Sequence, residues 1–459
     1  MKSTEVEVDV ILPTAQRPVV KVEQQQPRVS DADRATRSAL IWAVVWLVVG
    51  TTVGEYLGIK FLQPDIDTIP WLSFGRLRPV HTNMVFWGWA SLALIAVAHI
   101  VVPQQCGVRP QSGKALRWIT GLISTTVGVG SVVLALGINN SGGEYREYVW
   151  PVMIPFAAAI LLSLRTLWSY VKARTTSTIP VTAWYILSAH IFLLTIVTVA
   201  YVPLWQGGIG ETIVQGYYMH QGVGMWFMMS MLGIYYAVIP QATGGRILSQ
   251  RLSLVAFWTQ IVCYTVIGTH HFVFSAIPWW LQMTALVGSI GMIIPVLAGT
   301  INLAVAFRTR QHWHPSAVLF LLSLVFYVTG SLQGTLEAFE YANLVWHFTD
   351  YTVAHSHLTM YGIITVGLFG TIVLYAPRRW TTRERTILTT LAVGGLLLYA
   401  VPLMVGGTLR GLSWLEGRPF MESVTLMMPF WTWRAIGGTA MWIAHIYVFV
   451  IVLRRYRHA

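Results

Sequence analysis

With 55% of its 459 residues hydrophobic, 10% charged and a mean hydropathy of +0.60, the chain cannot be a soluble globular domain. Repeated apolar runs of about 20 residues mark a polytopic membrane protein. The formal net charge of +12 sits mostly in short loops and at helix ends, as the positive-inside rule expects, and so does not point to nucleic acid. The two cysteines, Cys106 and Cys263, lie far apart and no CxxCH is present. Covalently attached c-type haem, iron–sulfur and cysteine-rich zinc sites are thereby excluded.

Residues 1–36 are polar and lack an apolar core with a cleavage site, so they read as a cytoplasmic tail and not a signal peptide. Residues 37–459 read as one all-α membrane domain. Apolar segments are predicted at 38–62, 77–103, 116–138, 148–171, 180–204, 213–242, 252–276, 278–307, 315–340, 347–376, 386–409 and 429–453. With a cytoplasmic N-terminus, the inside loops hold Arg109, Lys114, Arg117, Lys172, Arg174, Arg246, Arg251, Arg308, Arg310, Arg378, Arg379, Arg383 and Arg385, and the C-terminal end Arg454, Arg455 and Arg457. The opposite loops hold only Arg76, Arg78, Arg146, Arg410 and Arg418. That bias places both ends in the cytoplasm. The outer arginines are expected partners for acidic groups of a cofactor.

Of thirteen histidines, six fall in the outer part of their spans at a common depth: His81, His220, His270, His271, His355 and His357. His99, His190, His312, His314, His445 and His458 read as structural or surface groups. His355 and His357 are two apart on one helix and so point roughly 200° away from each other. A titratable side chain in hydrocarbon marks a functional site by default. One helix therefore presents an imidazole to each of two sites. The alternative is a pair of hydrogen-bonded core histidines.

The motifs PWLSFGRLRPVHTN (70–83), EYREYVWP (144–151), YYMHQGVG (217–224), YTVIGTHH (264–271), HFTDYTVAHSH (347–357) and ESV…RAIGG (422–438) carry a resemblance that covers the chain from about 38 to 453. In these the chain resembles catalytic subunit I of the haem–copper oxidases, specifically the C-family, or cbb-type, cytochrome c oxidases. The resemblance implies a bundle of about twelve transmembrane helices with the subunit I fold. It further implies His81 and His357 as axial ligands of a low-spin haem b and His355 as proximal ligand of a high-spin haem b. His220, His270 and His271 would hold copper (CuB). Tyr264 takes the position of the active-site tyrosine, which in the family is crosslinked to the copper ligand matching His220. Partners would be membrane-anchored cytochrome c subunits in a bacterial cytoplasmic membrane.

Ser253, Gln260 and Tyr264 are spaced 7 and 4 apart, on one helix face, and span roughly 16 Å from beside cytoplasmic Arg251. With Tyr235 and Tyr236 they resemble the family's proton channel; interhelical hydrogen bonding is the other reading. Glu144 and Glu147 form an ExxE on the outer side. The family resemblance makes Glu144 a calcium ligand, although two exposed acids are usually only solvated. Gln333 stands where the family is expected to carry a buried glutamate, removing a titratable group near the site.

The expected function is a terminal oxidase, reducing dioxygen to water with electrons from cytochrome c and translocating protons. A nitric oxide reductase on the same scaffold is the alternative, but it carries a glutamate four residues after the histidine matching His220, where this chain has Gly224. A non-catalytic haem scaffold or transporter would be marked by a missing metal ligand, and none is missing.

Overall fold

The computed structural model describes residues 30–110, 112–140, 143–202 and 207–456; most of the expected tail, and His458, lie outside them. These residues are helical, without a strand. Among the described residues eleven helices are long and apolar enough to cross a membrane: α1 (Asp31–Lys60), α2 (Phe74–Gln105), α3 (Lys114–Ala135), α4 (Trp150–Lys172), α5 (Val181–Ala200) and α6 (Gly208–Thr243), followed after the shorter α7 (Gln250–Tyr264) by α8 (Trp279–Arg308), α9 (Ala317–Glu337), α10 (Asp350–Leu374), α11 (Thr382–Leu415) and α12 (Phe420–Tyr456). Their bounds lie within five residues of the predicted spans, except that α1 begins seven residues early, inside the expected tail, α11 runs six residues past its predicted end and α12 begins nine residues early. Hydropathy reads the apolar middle of a helix, whereas ends are set by caps. Ser30 accepts from Asp33 N and Asp33 caps back at the start of α1; Thr381 and Glu384 do the same for α11.

The seventh predicted span, 252–276, is not one helix. α7 (Gln250–Tyr264) is α-helical and is followed by a 3₁₀ segment, Ile267–Phe272, that carries His270 and His271. Glycines let this segment press against α6. A Cβ at Gly268 would come within 2.6 Å of the Tyr217 ring, and one at Gly216 would overlap the Gly268 carbonyl.

Three helices form the middle of the bundle. The apolar windows of α2, α6 and α10 are 89%, 94% and 83% buried within the protein, against 33–50% for the other spanning helices. These three carry His81, His220 and the His355/His357 pair. Each also contains a π-helical stretch, Met84–Ala90, Gln221–Met228 and Leu358–Thr365, beginning just after its histidine. A π turn inserts an extra residue and re-aims what precedes it, and such turns concentrate at functional sites.

The N-terminal end of α10 is anchored by Asp350, which pairs with Arg410 of α11 at 3.0 Å and with Arg434 of α12 at 3.6 Å and accepts from Trp431 Nε1 at 3.2 Å. α11 and α12 meet backbone to backbone: a Cβ on Gly437 would lie 2.6 Å from Tyr399 N and 2.7 Å from Gly395 O. Small residues at such crossings supply the close packing that holds membrane helices together. Gly437→Val should force α11 off α12 and lower stability by roughly 1–3 kcal/mol, read as a reduced unfolding temperature in detergent, with Gly437→Ala intermediate.

Candidate functional site

Two cavities flank α10. The first is lined by His81, His357, Arg78, Tyr145, Tyr361 and Arg434 among others. His81 Nδ1 lies 2.8 Å from Gly50 O and His357 Nδ1 lies 2.8 Å from Val353 O. A carbonyl only accepts, so in each ring Nδ1 carries the proton and Nε2 keeps its lone pair. Gly54 makes room for His81; a Cβ there would overlap the imidazole. Tyr399 packs on His357 with ring centres 4.4 Å apart. Arg434 Nε is buried without a hydrogen-bond partner, a donor available to an acidic group in the cavity.

The second cavity, about 590 Å³, is lined by His220, His270, His271, His355 and Tyr264 among others. One nitrogen from each of His220, His270 and His271 falls within a set spanning no more than 4.8 Å, the only such group of metal-ligating side chains among the described residues. Their ring centres are 4.4, 4.7 and 4.5 Å apart. The Ser289 hydroxyl donates to Ala285 O at 2.8 Å and so accepts from His270 Nδ1 at 2.6 Å, leaving His270 Nε2 free. His220 is buried with neither nitrogen hydrogen-bonded. Such an orphaned group costs about 1–3 kcal/mol unless something binds it. A three-imidazole set suits copper as well as zinc or iron. Across the cavity, His355 Nδ1 faces Gln333 Oε1 at 3.3 Å, which again frees Nε2.

Tyr264 ends α7 with its ring centre 5.9 Å from that of His220. A Cβ at Gly224 would overlap the Tyr264 phenol ring. A side chain at position 224 and the observed place of Tyr264 are therefore mutually exclusive.

Comparisons with known proteins identify the family. Residues 34–440 match the family model described as cytochrome c and quinol oxidase polypeptide I. The chain belongs to that family. Relatives include a cytochrome c oxidase subunit 1 homolog of Agrobacterium tumefaciens, 28% identical over 87% of this chain and 78% of that protein. Another is the cbb3-type cytochrome c oxidase subunit CcoN1 of Stutzerimonas stutzeri, 28% identical over 87% of this chain and 89% of the relative. A cryo-EM structure of a heme-copper terminal oxidase dimer superposes with a TM-score of 0.77 over 92% of this chain and 83% of the other, at 14% identity. The expected oxidase family and subunit I fold are both met.

The remaining expected residues fall into place unevenly. Ser253, Gln260 and Tyr264 are all buried along α7. Asn302 Nδ2 donates to Ser253 Oγ at 2.7 Å, Tyr236 faces the same pair, and Gln260 Nε2 reaches Gly224 O at 3.4 Å. Tyr235 departs from this stripe: its hydroxyl bonds Ser323 and, at 3.0 Å, Ile363 O. Adjacent helical residues point about 100° apart, so Tyr235 and Tyr236 cannot share a face. Tyr327, buried with an unpartnered hydroxyl, is an electrostatic neighbour of Tyr235, Tyr236 and Tyr264. It and Asn302 were not foreseen.

Two further residues escaped the sequence reading. Glu337, one turn beyond Gln333, is buried in the second cavity with Oε1 3.8 Å from His355 Nδ1. A titratable group thus stands one turn beyond Gln333; the i, i+4 spacing was the available signal. His347 lines the same cavity with its ring centre 5.6 Å from that of His271, and burial holds its pKa below the usual imidazole range. His445, read as structural, lines the first cavity, but both nitrogens are engaged, by Tyr361 OH and Thr51 Oγ1 at 3.0 Å each.

Of the outer arginines only Arg78 lines the cavities, and both of them. Arg410 is committed to Asp350, and Arg146 is buried against Glu211 at 2.8 Å. Glu144 pairs with Arg78. Glu147, expected to be exposed, is buried and accepts from Asn83 Nδ2 at 2.8 Å. Tyr145 between them adopts a left-handed backbone, φ 63°, and stacks on Phe86 at 4.3 Å; strained backbone of this kind persists where surroundings over-determine it.

Burial pushes the Glu147 carboxyl up to about 7 from its ordinary 4.5. The folded state then binds the proton more tightly than the unfolded one, so stability falls as pH rises from about 4.5 to about 7 and levels off above. Glu147→Gln keeps an acceptor for Asn83. It should leave stability unchanged near pH 4 and raise it by up to about 3 kcal/mol near pH 8, measured by unfolding temperature at the two pH values.

Proposed function

We propose that the chain is the catalytic subunit of a cbb3-type terminal oxidase, which reduces dioxygen to water with electrons from cytochrome c and translocates protons. The observation that carries this reading is the three-histidine cluster beside Tyr264, with Gly224 seated under the phenol and His355 across the cavity. A nitric oxide reductase would need a glutamate at position 224, where the phenol leaves no room for a side chain.

In this proposal His81 and His357 hold a low-spin haem b, His355 holds a high-spin haem b, and His220, His270 and His271 hold copper. Bound there, these groups supply the electron transfer and oxygen activation that no amino-acid side chain performs alone. The chain's own part is to place and protonate. The Nδ1 partners of His81, His270, His355 and His357 fix each ring so that Nε2 faces its cavity. Tyr264 is the residue that releases a proton and an electron beside His220. Gln333 and Glu337 hold the far side of His355. Tyr236, Ser253, Asn302, Tyr327 and Gln260 form the polar route by which Tyr264 is reprotonated from the cytoplasm, with Tyr235 a flanking group. Moving a charge across the membrane costs about 2.3 kcal/mol per 100 mV, so the route must be polar throughout. Arg78 and Arg434 would offer their guanidinium groups to the acidic groups of the haems, and Glu144 would offer a carboxylate to a calcium ion. Electrons arrive from membrane-anchored cytochrome c subunits on the outer face of a bacterial cytoplasmic membrane, with both termini of this chain inside.

Two variants test the reading. Tyr264→Phe deletes one hydroxyl and keeps the packing, so haem content should stay at the wild-type level while oxygen consumption falls on the order of 10²-fold or more. An oxygen electrode reading near wild type would remove Tyr264 from the reaction. His81→Ala should abolish the six-coordinate low-spin haem absorbance and leave copper, determined by metal analysis, unchanged. Retention of the low-spin signal would refute the His81–His357 pairing.

A further inference from the structure

The seam between α1 and α12 holds a carboxylate that the oxygen chemistry does not use. Glu55 is the sole acidic residue between Arg37 and Lys60, and an acid in a membrane-spanning helix is a functional site by default. It is partly buried and lines the same cavity as His81 and His357. Oε1 accepts from the Thr439 hydroxyl at 2.6 Å, and Oε2 lies against α12, 3.0 Å from where a Cβ on Gly438 would stand.

The charges around Glu55 leave it without a cation. On its own helix Lys60 and Tyr56 are committed to Asp67. From α12, Arg434 pairs with Asp350, and His445 has both nitrogens engaged. From α2 come Arg78, paired with Glu144, and His81, held on Gly50 O. α11 contributes Tyr399, which senses Glu55 electrostatically, and α10 contributes His357. α3, also packed on α1, gives the cavity no titratable side chain. Glu55 is therefore held by one hydroxyl, at the wall of a low-dielectric cavity proposed above to contain a redox centre.

We propose that Glu55 is a proton-binding site linked to the oxidation state of the haem held by His81 and His357. An added electron and an ionised carboxylate at one cavity repel each other, and the repulsion is relieved when Glu55 takes up a proton. The step balances simply: one electron comes from the cytochrome c donor, one proton comes from water to a carboxylate oxygen, and both depart on reoxidation. By linkage, proton binding at Glu55 must favour reduction to the same extent that reduction favours proton binding.

This inference rests on the assignment of His81 and His357 as haem ligands. The test is an equilibrium redox titration of the low-spin haem absorbance in the purified complex, repeated at several pH values. In wild type the midpoint should fall as pH rises through the range where Glu55 ionises, at most tenfold in the reduction equilibrium per pH unit, or 59 mV for one electron. Glu55→Gln preserves the acceptor for Thr439; it should flatten that slope and raise the midpoint at alkaline pH, with the haem spectrum unchanged. Thr439→Val keeps the carboxylate but removes the hydroxyl that favours its charged form, so the slope should persist and move to higher pH. Should Glu55→Gln not retain haem, the Thr439→Val displacement decides the matter alone. A wild-type midpoint independent of pH, or a Glu55→Gln slope equal to wild type, overturns the linkage. A wild-type complex without a six-coordinate haem spectrum overturns instead the ligand assignment beneath it.

Discussion

The arrangement depends on how an imidazole is accommodated where no water can satisfy it. Each ring has two nitrogens, and a buried one left alone costs about 1–3 kcal/mol, a large fraction of the total stability of a fold. The chain meets this constraint by tying one nitrogen to itself and freeing the other. His81 and His357 use the Gly50 and Val353 carbonyls, His270 uses Ser289, and His355 uses Gln333. The tautomer and the ring plane follow from that choice. His220 is buried with no partner at either nitrogen, so an ion bound at the three-histidine cluster would recover that cost.

Backbone devices then bring the rings within reach of one another. The π-helical stretches after His81, His220 and His357 lie in the three most buried helices, where a change in helical phase can be supported by packing on every side. Glycine does the remaining work by absence of a side chain. Gly54 admits the His81 ring, Gly224 admits the Tyr264 phenol, and Gly216 and Gly268 let the 3₁₀ segment bearing His270 and His271 touch α6. Asp350 holds the N-terminal end of α10 to α11 and α12 through Arg410, Arg434 and Trp431, so both histidines of that helix inherit a fixed position.

Polar groups in the bundle are divided by direction. The Ser253, Asn302 and Tyr236 cluster lies toward the N-terminal end of α7, while Tyr264 closes its C-terminal end. On the far side of His355, Gln333 and Glu337 occupy successive turns of α9. Arg78 lines both cavities and is neutralised by Glu144, whereas Glu147 is withdrawn into the protein with Asn83. The two cavities are thus separate in their histidines and joined through Arg78, Glu144 and Tyr145.

The amino-acid sequence by itself determined the features that are local along the chain. Hydropathy located the spanning helices, since twenty apolar residues have few alternatives in a membrane, and helical spacing placed His355 and His357 on opposite sides and Ser253, Gln260 and Tyr264 on one. Histidines within apolar spans were visible for the same reason. What only the tertiary structure decided involves partners far apart in sequence. The break of the seventh span depends on contact with α6. The exclusion between Gly224 and Tyr264 joins two helices, as do the contact of Glu337 with His355 and the approach of His347 to His271. Tyr235 and Tyr236 are neighbours in sequence, yet only the helices packed around them assign one to Ser323 and the other to Ser253. Periodicity names the face a residue occupies, but the chemistry of that face belongs to whatever packs against it.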